Sequence, residues 1–216
     1  MPDIKNIIFD FGGVIINIDE GNITDELIAR GSKNVDKLHQ YMLDNDLYNK
    51  LETGMISDQM FRDEIKKISD LDLDDNDVDD IWNTLILDFP PNRYKLLQEI
   101  RYNYRTFLLS NTNFIHWYYY QDQFRKQYGL MGLSELFEMD YYSYLMGVRK
   151  PDAEIFMMVL QDSQLVPKET LFIDDNLANC LTARQLGMYA YNIKRDEDVI
   201  TLFKDGKLSV DLSDSI

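Results

Sequence analysis

The sequence predicts an α/β fold in which helices cover both faces of a mainly parallel sheet and a small all-helical segment is inserted after the first strand. Two observations lead to this prediction. From residue 90 onward, short runs of β-favouring apolar residues alternate with longer segments of helical periodicity. Between residues 18 and 89, apolar residues recur only at helical spacing. With 216 residues, 45% of them hydrophobic, the chain is long enough for one core domain and a small insert.

The first predicted strand, residues 7–9, is a short apolar run that reaches Asp10 and then a pair of glycines. Within the helical insert, Ser57 precedes a segment of helical periodicity and is expected to cap that helix. Two consecutive prolines, at residues 90 and 91, then break the helical pattern. The predicted domains are therefore a core of residues 1–17 and 90–216 and a helical cap of residues 18–89.

Beyond the insert, helices and strands alternate along the chain. The predicted strands are residues 106–110, 139–143, 170–173 and 188–191. The predicted helices are residues 93–102, 114–128, 153–163 and 176–186. In a parallel sheet of this kind, ligands bind beyond the carboxyl ends of the strands.

Several side chains are assigned structural roles. Residues expected to pack into the core from one face of helix 114–128 are Trp117, Tyr120, Phe124 and Tyr128. Tyr118 and Tyr119 fall elsewhere on that helix and are expected to be exposed, where they favour a weak homodimer. Asp152 is expected to cap the helix that begins near residue 153. His39 and His116 stand in no ligand-like pattern.

The composition predicts a cytoplasmic protein that binds neither nucleic acid nor membranes. There are 22 Lys and Arg against 38 Asp and Glu, and the resulting net charge of -16 repels polyphosphates. No apolar run approaches membrane-spanning length, and the first residues lack the layout of a signal peptide. The single cysteine, Cys180, excludes an internal disulfide and fits a reducing compartment.

Three groups of reactive side chains stand at predicted strand ends, and a fourth stands in a loop before a helix. They are Asp10, Ser110 with Asn111, Asp174 with Asp175, and Arg149 with Lys150. Because strand ends meet at one edge of a parallel sheet, we expect these groups to share one crevice. Several carboxylates in one place need a cation, and the hard ion Mg²⁺ prefers carboxylate oxygens.

These residue types suit the hydrolysis of a phosphate ester. With a metal ion balancing charge, the Asp10 carboxylate can attack phosphorus and form an aspartyl-phosphate. The Ser110 hydroxyl and the backbone N–H of Asn111 can donate hydrogen bonds to phosphoryl oxygens. Lys150 can neutralise the charge that builds up on those oxygens. Asp10 together with Asp174 or Asp175 supplies the expected metal ligands.

Four segments resemble the four motifs of the haloacid dehalogenase superfamily, in the same order and at matching spacing. They are residues 7–14, 109–112, 147–152, and 172–176 with Asn179 and Gly187. The resemblance implies a Rossmann-like core, a helical cap between the first two motifs, and Asp10 as the nucleophile. It also implies that Ser110 and Lys150 bind phosphate. It further implies a Mg²⁺ site made by Asp10, the fourth-motif acids and the backbone carbonyl of Gly12.

Within the superfamily, the short helical cap and the paired acids are most similar to glucose-1-phosphatase-like and epoxide-hydrolase-N-domain-like members. This similarity implies a small phosphorylated metabolite, such as a sugar phosphate, as the substrate. The more common Gly-Asp form of the fourth motif favours Asp175 over Asp174 as the direct metal ligand.

One position departs from the family pattern. Phosphatases of the superfamily usually carry a second Asp two residues after the nucleophile, where it protonates the leaving group, and this chain has Gly12 there. Three interpretations remain open: Asp19 or a cap residue replaces the acid, the metal and a good leaving group suffice, or the protein binds phosphate without hydrolysing it. A 2-haloacid dehalogenase needs no such acid and is a further alternative, although the pair Asp174 and Asp175 indicates a bound cation.

Overall fold

The computed structural model describes residues 2–212 and confirms the predicted α/β fold. Five parallel strands form one sheet in the order β3-β2-β1-β4-β5, so the first strand lies at its centre. The strands are β1 (Asn6–Phe9), β2 (Arg105–Ser110), β3 (Met139–Tyr142), β4 (Thr170–Asp174) and β5 (Tyr189–Asn192). A short antiparallel pair, β6 (Phe203–Lys204) and β7 (Lys207–Leu208), follows the sheet.

Within the described residues the helices fall into two groups along the chain. The first group, called the cap helices, consists of α1 (Gly21–Ala29), α2 (Val35–Asp44), α3 (Leu47–Glu52), α4 (Asp58–Ile68) and α5 (Asp75–Asn83). The second group consists of α6 (Pro91–Ile100), α7 (Phe114–Tyr128), α8 (Ser143–Met146), α9 (Ala153–Asp162) and α10 (Leu177–Gln185). Of all these helices, none combines the length and apolarity that crossing a bilayer requires.

The central strand is buried on both faces of the sheet. Ile7 and Phe9 belong to a large apolar cluster on one face, and Ile8 packs into a second cluster on the other face together with Phe107 and Phe172. A strand that contacts apolar neighbours on both sides has no solvent face, so β1 appears in the sequence as a continuous apolar run.

The cap helices enclose an apolar cluster of their own. Its aromatic part includes Phe61 and Trp82, whose ring centroids lie 4.7 Å apart. The Ser57 side chain accepts a hydrogen bond from the backbone N–H of Met60, which confirms the predicted cap of α4. Side chains at the apolar positions of the helical periodicity therefore pack against one another rather than against the sheet.

A short antiparallel ribbon connects the cap helices to the core. The backbone N–H of Asp19 donates to the carbonyl of Leu85 at 2.9 Å, and the N–H of Leu87 donates to Asn17 at 3.0 Å. Between these bonds, Ile18 and Ile86 form a β-bridge. The sequence predicts no strand here, because so short a pairing leaves no periodic pattern. The chain therefore leaves and re-enters the core at neighbouring points.

Two local predictions on the core helices are wrong. Tyr119 packs partly against the large apolar cluster, whereas its neighbour Tyr118 is 66% exposed as expected. Asp152 occupies the position before α9 but accepts no hydrogen bond from that helix. Ala153 and Glu154, the first two residues of α9, are exposed, so the free N–H groups at this end can be solvated without a side-chain cap.

Candidate active site

The parallel register brings three strand ends together at one edge of the sheet. Phe9 pairs with Leu108 on one side and with Ile173 on the other, so the carboxyl ends of these three strands lie side by side. Asp10 follows β1, Ser110 ends β2 and Asp174 ends β4. Above this edge lies a cavity of about 640 Å³ that extends to the cap helices. The predicted residues that line it are Asp10, Gly12, Ser110, Asn111, Arg149, Lys150 and Asp175.

Lys150 reaches this edge from the loop between α8 and α9. Its ammonium group lies 2.6 Å from Asp10 Oδ1 and 2.8 Å from Asp174 Oδ2, and it also donates to the backbone carbonyl of Leu109 at 2.8 Å. The side chain is 1% exposed. Burial acts to lower the pKa of Lys150, but the two carboxylates outweigh it and the net shift is upward. A permanent cation therefore lies between two acids of the site.

Three carboxylates meet beside this lysine. Oxygen atoms of Asp10, Asp174 and Asp175 all lie within 4.8 Å of one another. Burial raises the pKa of Asp10, the charge of Lys150 opposes this shift, and the charges of the other two acids add to it. One lysine does not balance three carboxylates, so this donor set fits a hard divalent cation.

Asp174 and Asp175 differ in their freedom to bind a ligand. Asp174 is fully buried, and its carboxylate accepts hydrogen bonds from Lys150, from the side chain of Asn179 and from the backbone N–H of Asn176. Asp175 is exposed and lines the cavity. This difference favours Asp175 as the direct metal ligand and leaves Asp174 to hold Lys150 and α10 in place.

Gly13 makes room for Asp175. The residue has a φ of +75°, and a Cβ atom there would collide with the Asp175 carboxylate. A glycine in a binding site commonly lets the backbone approach a ligand closely. For Gly13 the close neighbour is instead a side chain of the site itself.

The phosphate-binding residues expected on β2 lie in the cavity wall. Ser110 is buried, and its hydroxyl is 3.5 Å from the carbonyl of Asn111. The Asn111 side chain donates to the Lys150 carbonyl at 2.8 Å and accepts from the Lys150 N–H at 2.9 Å. This amide therefore fixes the backbone of the lysine loop, a role that the sequence did not predict. The side chain of Asn113 caps helix α7 by accepting a hydrogen bond from the backbone N–H of His116.

The position two residues after Asp10 has no acid, and the structure does not bring Asp19 to the cavity. The Asp19 carboxylate instead accepts a hydrogen bond from the backbone N–H of Gly21 at 2.9 Å. Among the described residues, the carboxylates that line the cavity are Asp10, Glu20, Glu52 and Asp175. Of these, only Glu20 and Glu52 lie outside the three-acid cluster.

Glu52 and Arg149 line the cavity, and sequence reasoning assigned a role to neither. Glu52 is the last residue of α3, and its Oε2 lies 3.1 Å from a terminal guanidinium nitrogen of Arg149. The helix dipole disfavours the negative charge of a carboxylate at a helix C-terminus. That unfavourable position was the available signal that Glu52 has a partner elsewhere in the fold.

The chain matches the haloacid dehalogenase-like hydrolase family over residues 4–187. It is 30% identical to a D-ribitol-5-phosphate phosphatase of Bacteroides thetaiotaomicron over 200 residues, which cover 90% of this chain and 94% of that protein. The structure of HAD family enzyme BT-2542 from Bacteroides thetaiotaomicron, in complex with magnesium and inorganic phosphate, is 36% identical. It has a TM-score of 0.83 and covers 93% of this chain and 100% of that one.

A HAD-like family hydrolase from Porphyromonas gingivalis is also similar in structure. It is 33% identical, with a TM-score of 0.79, and the match covers 92% of this chain and 95% of that one. These relatives share both the sheet and the helical segment, because the matches extend over nearly the whole chain. The sequence match and the common fold together show that this chain belongs to the haloacid dehalogenase-like hydrolases.

Proposed function

We propose that this protein is a Mg²⁺-dependent phosphate monoester hydrolase whose substrate is a small phosphorylated metabolite of the sugar-phosphate class. The arrangement of Asp10 carries the proposal. One of its carboxylate oxygens is held by Lys150 at 2.6 Å, and the residue opens onto a cavity large enough for a small metabolite. A buried carboxylate that is oriented in this way is suited to attack on phosphorus.

In the proposed reaction, a carboxylate oxygen of Asp10 forms a bond to phosphorus while the ester P–O bond breaks. The ester oxygen departs with the bonding electrons and takes up a proton from solvent water, which gives the free alcohol. Water then attacks the aspartyl-phosphate, which releases inorganic phosphate and restores the carboxylate. Lys150 holds Asp10 in its attacking position and, with Ser110 and the backbone N–H of Asn111, binds the phosphoryl oxygens.

The proposed Mg²⁺ ligands are Asp10, Asp175 and the backbone carbonyl of Gly12, with Asp174 in support. When bound, the metal supplies positive charge that lets a carboxylate approach an anionic phosphoryl group. The crowding of three acids around one lysine supports this assignment.

Residues 18–89 are proposed to act as a cap domain over a core formed by residues 1–17 and 90–216. The antiparallel ribbon at Ile18 and Ile86 lies where the two parts join. Cap closure over the cavity excludes bulk water from the phosphoenzyme. A cytoplasmic location completes the proposal, since Cys180 is a buried free thiol.

The substrate class is inferred from the similarity to the D-ribitol-5-phosphate phosphatase. The cavity supports it, because its wall combines apolar surface from the cap helices with polar groups at the sheet edge.

The test is hydrolysis of p-nitrophenyl phosphate with and without Mg²⁺. Asp10→Asn is expected to abolish metal-dependent turnover, because an amide does not act as the nucleophile. Asp19→Asn is the matched control, since that carboxylate is not part of the described cavity wall, and it is expected to retain activity. Full activity in Asp10→Asn would refute the role of Asp10.

A second candidate is a phosphate-binding protein with an impaired site, and Gly12 is the observation that favours it. This candidate predicts that phosphate and Mg²⁺ together raise the melting temperature while no phosphate ester is hydrolysed. The alternative of a 2-haloacid dehalogenase predicts halide release without added metal. The three-acid cluster argues against it, since metal-free chemistry leaves Asp175 without a function.

A further inference from the structure

The cap helices and the core are joined by an ion pair at the cavity wall. Glu52 Oε2 lies 3.1 Å from a guanidinium nitrogen of Arg149, the residue directly before Lys150. Among the ion pairs of residues 2–212, this is the one that links the cap helices to the core. Glu52 therefore presents a cap carboxylate next to the loop that carries the catalytic-site lysine.

The backbone around Glu52 is held against the core. Two residues later, Gly54 has a φ of +66°, and a Cβ atom there would lie only 2.6 Å from the backbone oxygen of Tyr144 in α8. The turn that follows α3 thus lies in direct contact with a core helix. This contact and the ion pair to Arg149 keep Glu52 at a defined place in the cavity wall.

The Glu52 carboxylate can accept further hydrogen bonds. A carboxylate offers about four lone-pair sites, yet none of the described residues makes a hydrogen bond to it beyond the ionic contact with Arg149. The side chain is 22% exposed and lines the cavity. Burial raises its pKa, the charges of Arg149 and Lys150 oppose that shift, and the charge of Glu20 adds to it.

Each lysine and arginine side chain that lines the described cavity is already paired with a carboxylate. The lysine and arginine residues of its described wall are Lys150 and Arg149. Lys150 is neutralised by Asp10 and Asp174, and Arg149 by Glu52. Glu20 also lines the cavity and adds negative charge. A leaving group that carries a carboxylate or another phosphate therefore meets net negative charge.

We propose that Glu52 is a specificity-determining residue that accepts a hydrogen bond from a hydroxyl of a neutral leaving group and rejects anionic leaving groups. The inference rests on the proposed phosphatase function and narrows its substrate class to phosphates of uncharged, hydroxyl-bearing alcohols. The hydroxyl supplies the donor that the carboxylate lacks, while the ion pair with Arg149 holds the carboxylate in position.

The experiment compares three phosphates with three-carbon leaving groups: glycerol 1-phosphate, propyl phosphate and 3-phosphoglycerate. In the wild-type protein with Mg²⁺, kcat/KM for glycerol 1-phosphate is expected to exceed that for propyl phosphate by about tenfold or more, the effect of one hydrogen bond to a charged group. It is expected to exceed that for 3-phosphoglycerate by about the same factor, because the carboxylate of this ester meets net negative charge. Glu52→Ala is expected to lower kcat/KM for glycerol 1-phosphate about tenfold and to leave propyl phosphate within about threefold.

Glu52→Gln separates charge from hydrogen bonding. Its amide oxygen still accepts a hydrogen bond, so the preference for glycerol 1-phosphate over propyl phosphate is expected to persist in part. Rejection of 3-phosphoglycerate is expected to relax, because the negative charge is gone. Glu64→Gln is the matched control: this cap carboxylate pairs with Lys67 and is absent from the described cavity wall, so all ratios should match wild type.

Turnover of p-nitrophenyl phosphate distinguishes a failure of the proposed phosphatase function from a failure of the inference about Glu52. If the wild-type protein does not hydrolyse this ester, the proposed function itself fails. If it does, and Glu52→Ala lowers kcat/KM equally for all three alkyl phosphates, Glu52 only supports the fold of the cap and the inference is overturned. An unchanged ratio of glycerol 1-phosphate to propyl phosphate in both Glu52 variants overturns it as well.

Discussion

Lys150 Nζ lies 2.6 Å from Asp10 Oδ1, although the two residues are 140 positions apart in the chain. The contact joins the loop before α9 to the end of the central strand. A second bond, to Asp174, makes the lysine a bridge between two acids. Because this lysine is almost fully buried, its charge affects both the stability of the fold and the chemistry of Asp10.

Replacement of Lys150 by Met is expected to lower the free energy of unfolding by about 3 kcal/mol or more, because two buried carboxylates lose their cation. Mg²⁺ is expected to stabilise this variant more than the wild type, since the metal restores positive charge to the site. Urea denaturation with and without Mg²⁺ measures both effects. Lys126→Met removes a lysine that is paired with Asp122 on the surface, and little change is expected. Equal stability of Lys150→Met and wild type would contradict the argument.

Gly13→Ala is expected to weaken Mg²⁺ binding at least about tenfold, because its methyl group takes the space of the Asp175 carboxylate. Isothermal titration calorimetry measures the affinity. Gly129→Ala is the matched control, since Gly129 has a similar φ of +69° but no atom lies within 4 Å of the added Cβ. Both variants should lose about 1 to 2 kcal/mol of stability through the left-handed backbone. Unchanged Mg²⁺ affinity in Gly13→Ala would place Asp175 outside the metal site.

Because position 12 is a glycine rather than an acid, the rate of hydrolysis is predicted to depend strongly on the leaving group. The protein is expected to hydrolyse p-nitrophenyl phosphate about 100-fold faster than propyl phosphate, because an aryl oxide departs without a proton. The Gly12→Asp substitution is expected to lower the ratio of the aryl rate to the alkyl rate at least about tenfold. The closest atom to an added Cβ is the flexible end of Ile18, at 3.1 Å, so the substitution can be accommodated. Similar kcat values for the two esters in the wild type would show that another group already donates the proton.

His116 is expected to make stability fall as the pH is lowered. The ring stacks on Trp82 at a centroid distance of 5.3 Å, its Nδ1 lies 3.1 Å from Asn83, and burial lowers its pKa from 6.5 to about 3. The unfolded state therefore binds a proton that the folded state excludes, and stability is lost progressively as the pH falls from about 6.5 toward 3.

The measurement is the difference in unfolding free energy between pH 7.5 and pH 5.5. The wild type is expected to lose about 1.4 kcal/mol more than His116→Gln over this interval. His39→Gln is the matched control, because that histidine is exposed on α2. Identical pH dependence in the wild type and His116→Gln would show that His116 titrates alike in the folded and unfolded states.

Much of the fold and part of the candidate site could be predicted because the relevant signals are local. The apolar run before Asp10 and the run that ends at Ser110 each predict a strand. The carboxyl ends of the strands in a parallel sheet lie at one edge. The strand ends alone do not distinguish Asp174 from Asp175 as the metal ligand, and in the sequence only the family form of the fourth motif favours Asp175. Which of two adjacent acids faces the cavity depends on their contacts with Lys150 and with the space beside Gly13.

The order of strands and helices, the helical character of the insert and the family all follow from the amino-acid sequence. Each of them depends on local periodicity or on motifs around single strand ends. The tertiary structure alone decided that Glu52 meets Arg149 and that the Asn111 amide holds the lysine loop. It also decided that Tyr119 packs against the core. Periodicity identifies the apolar face of an element, but the contacts between elements depend on how those faces pack together in three dimensions.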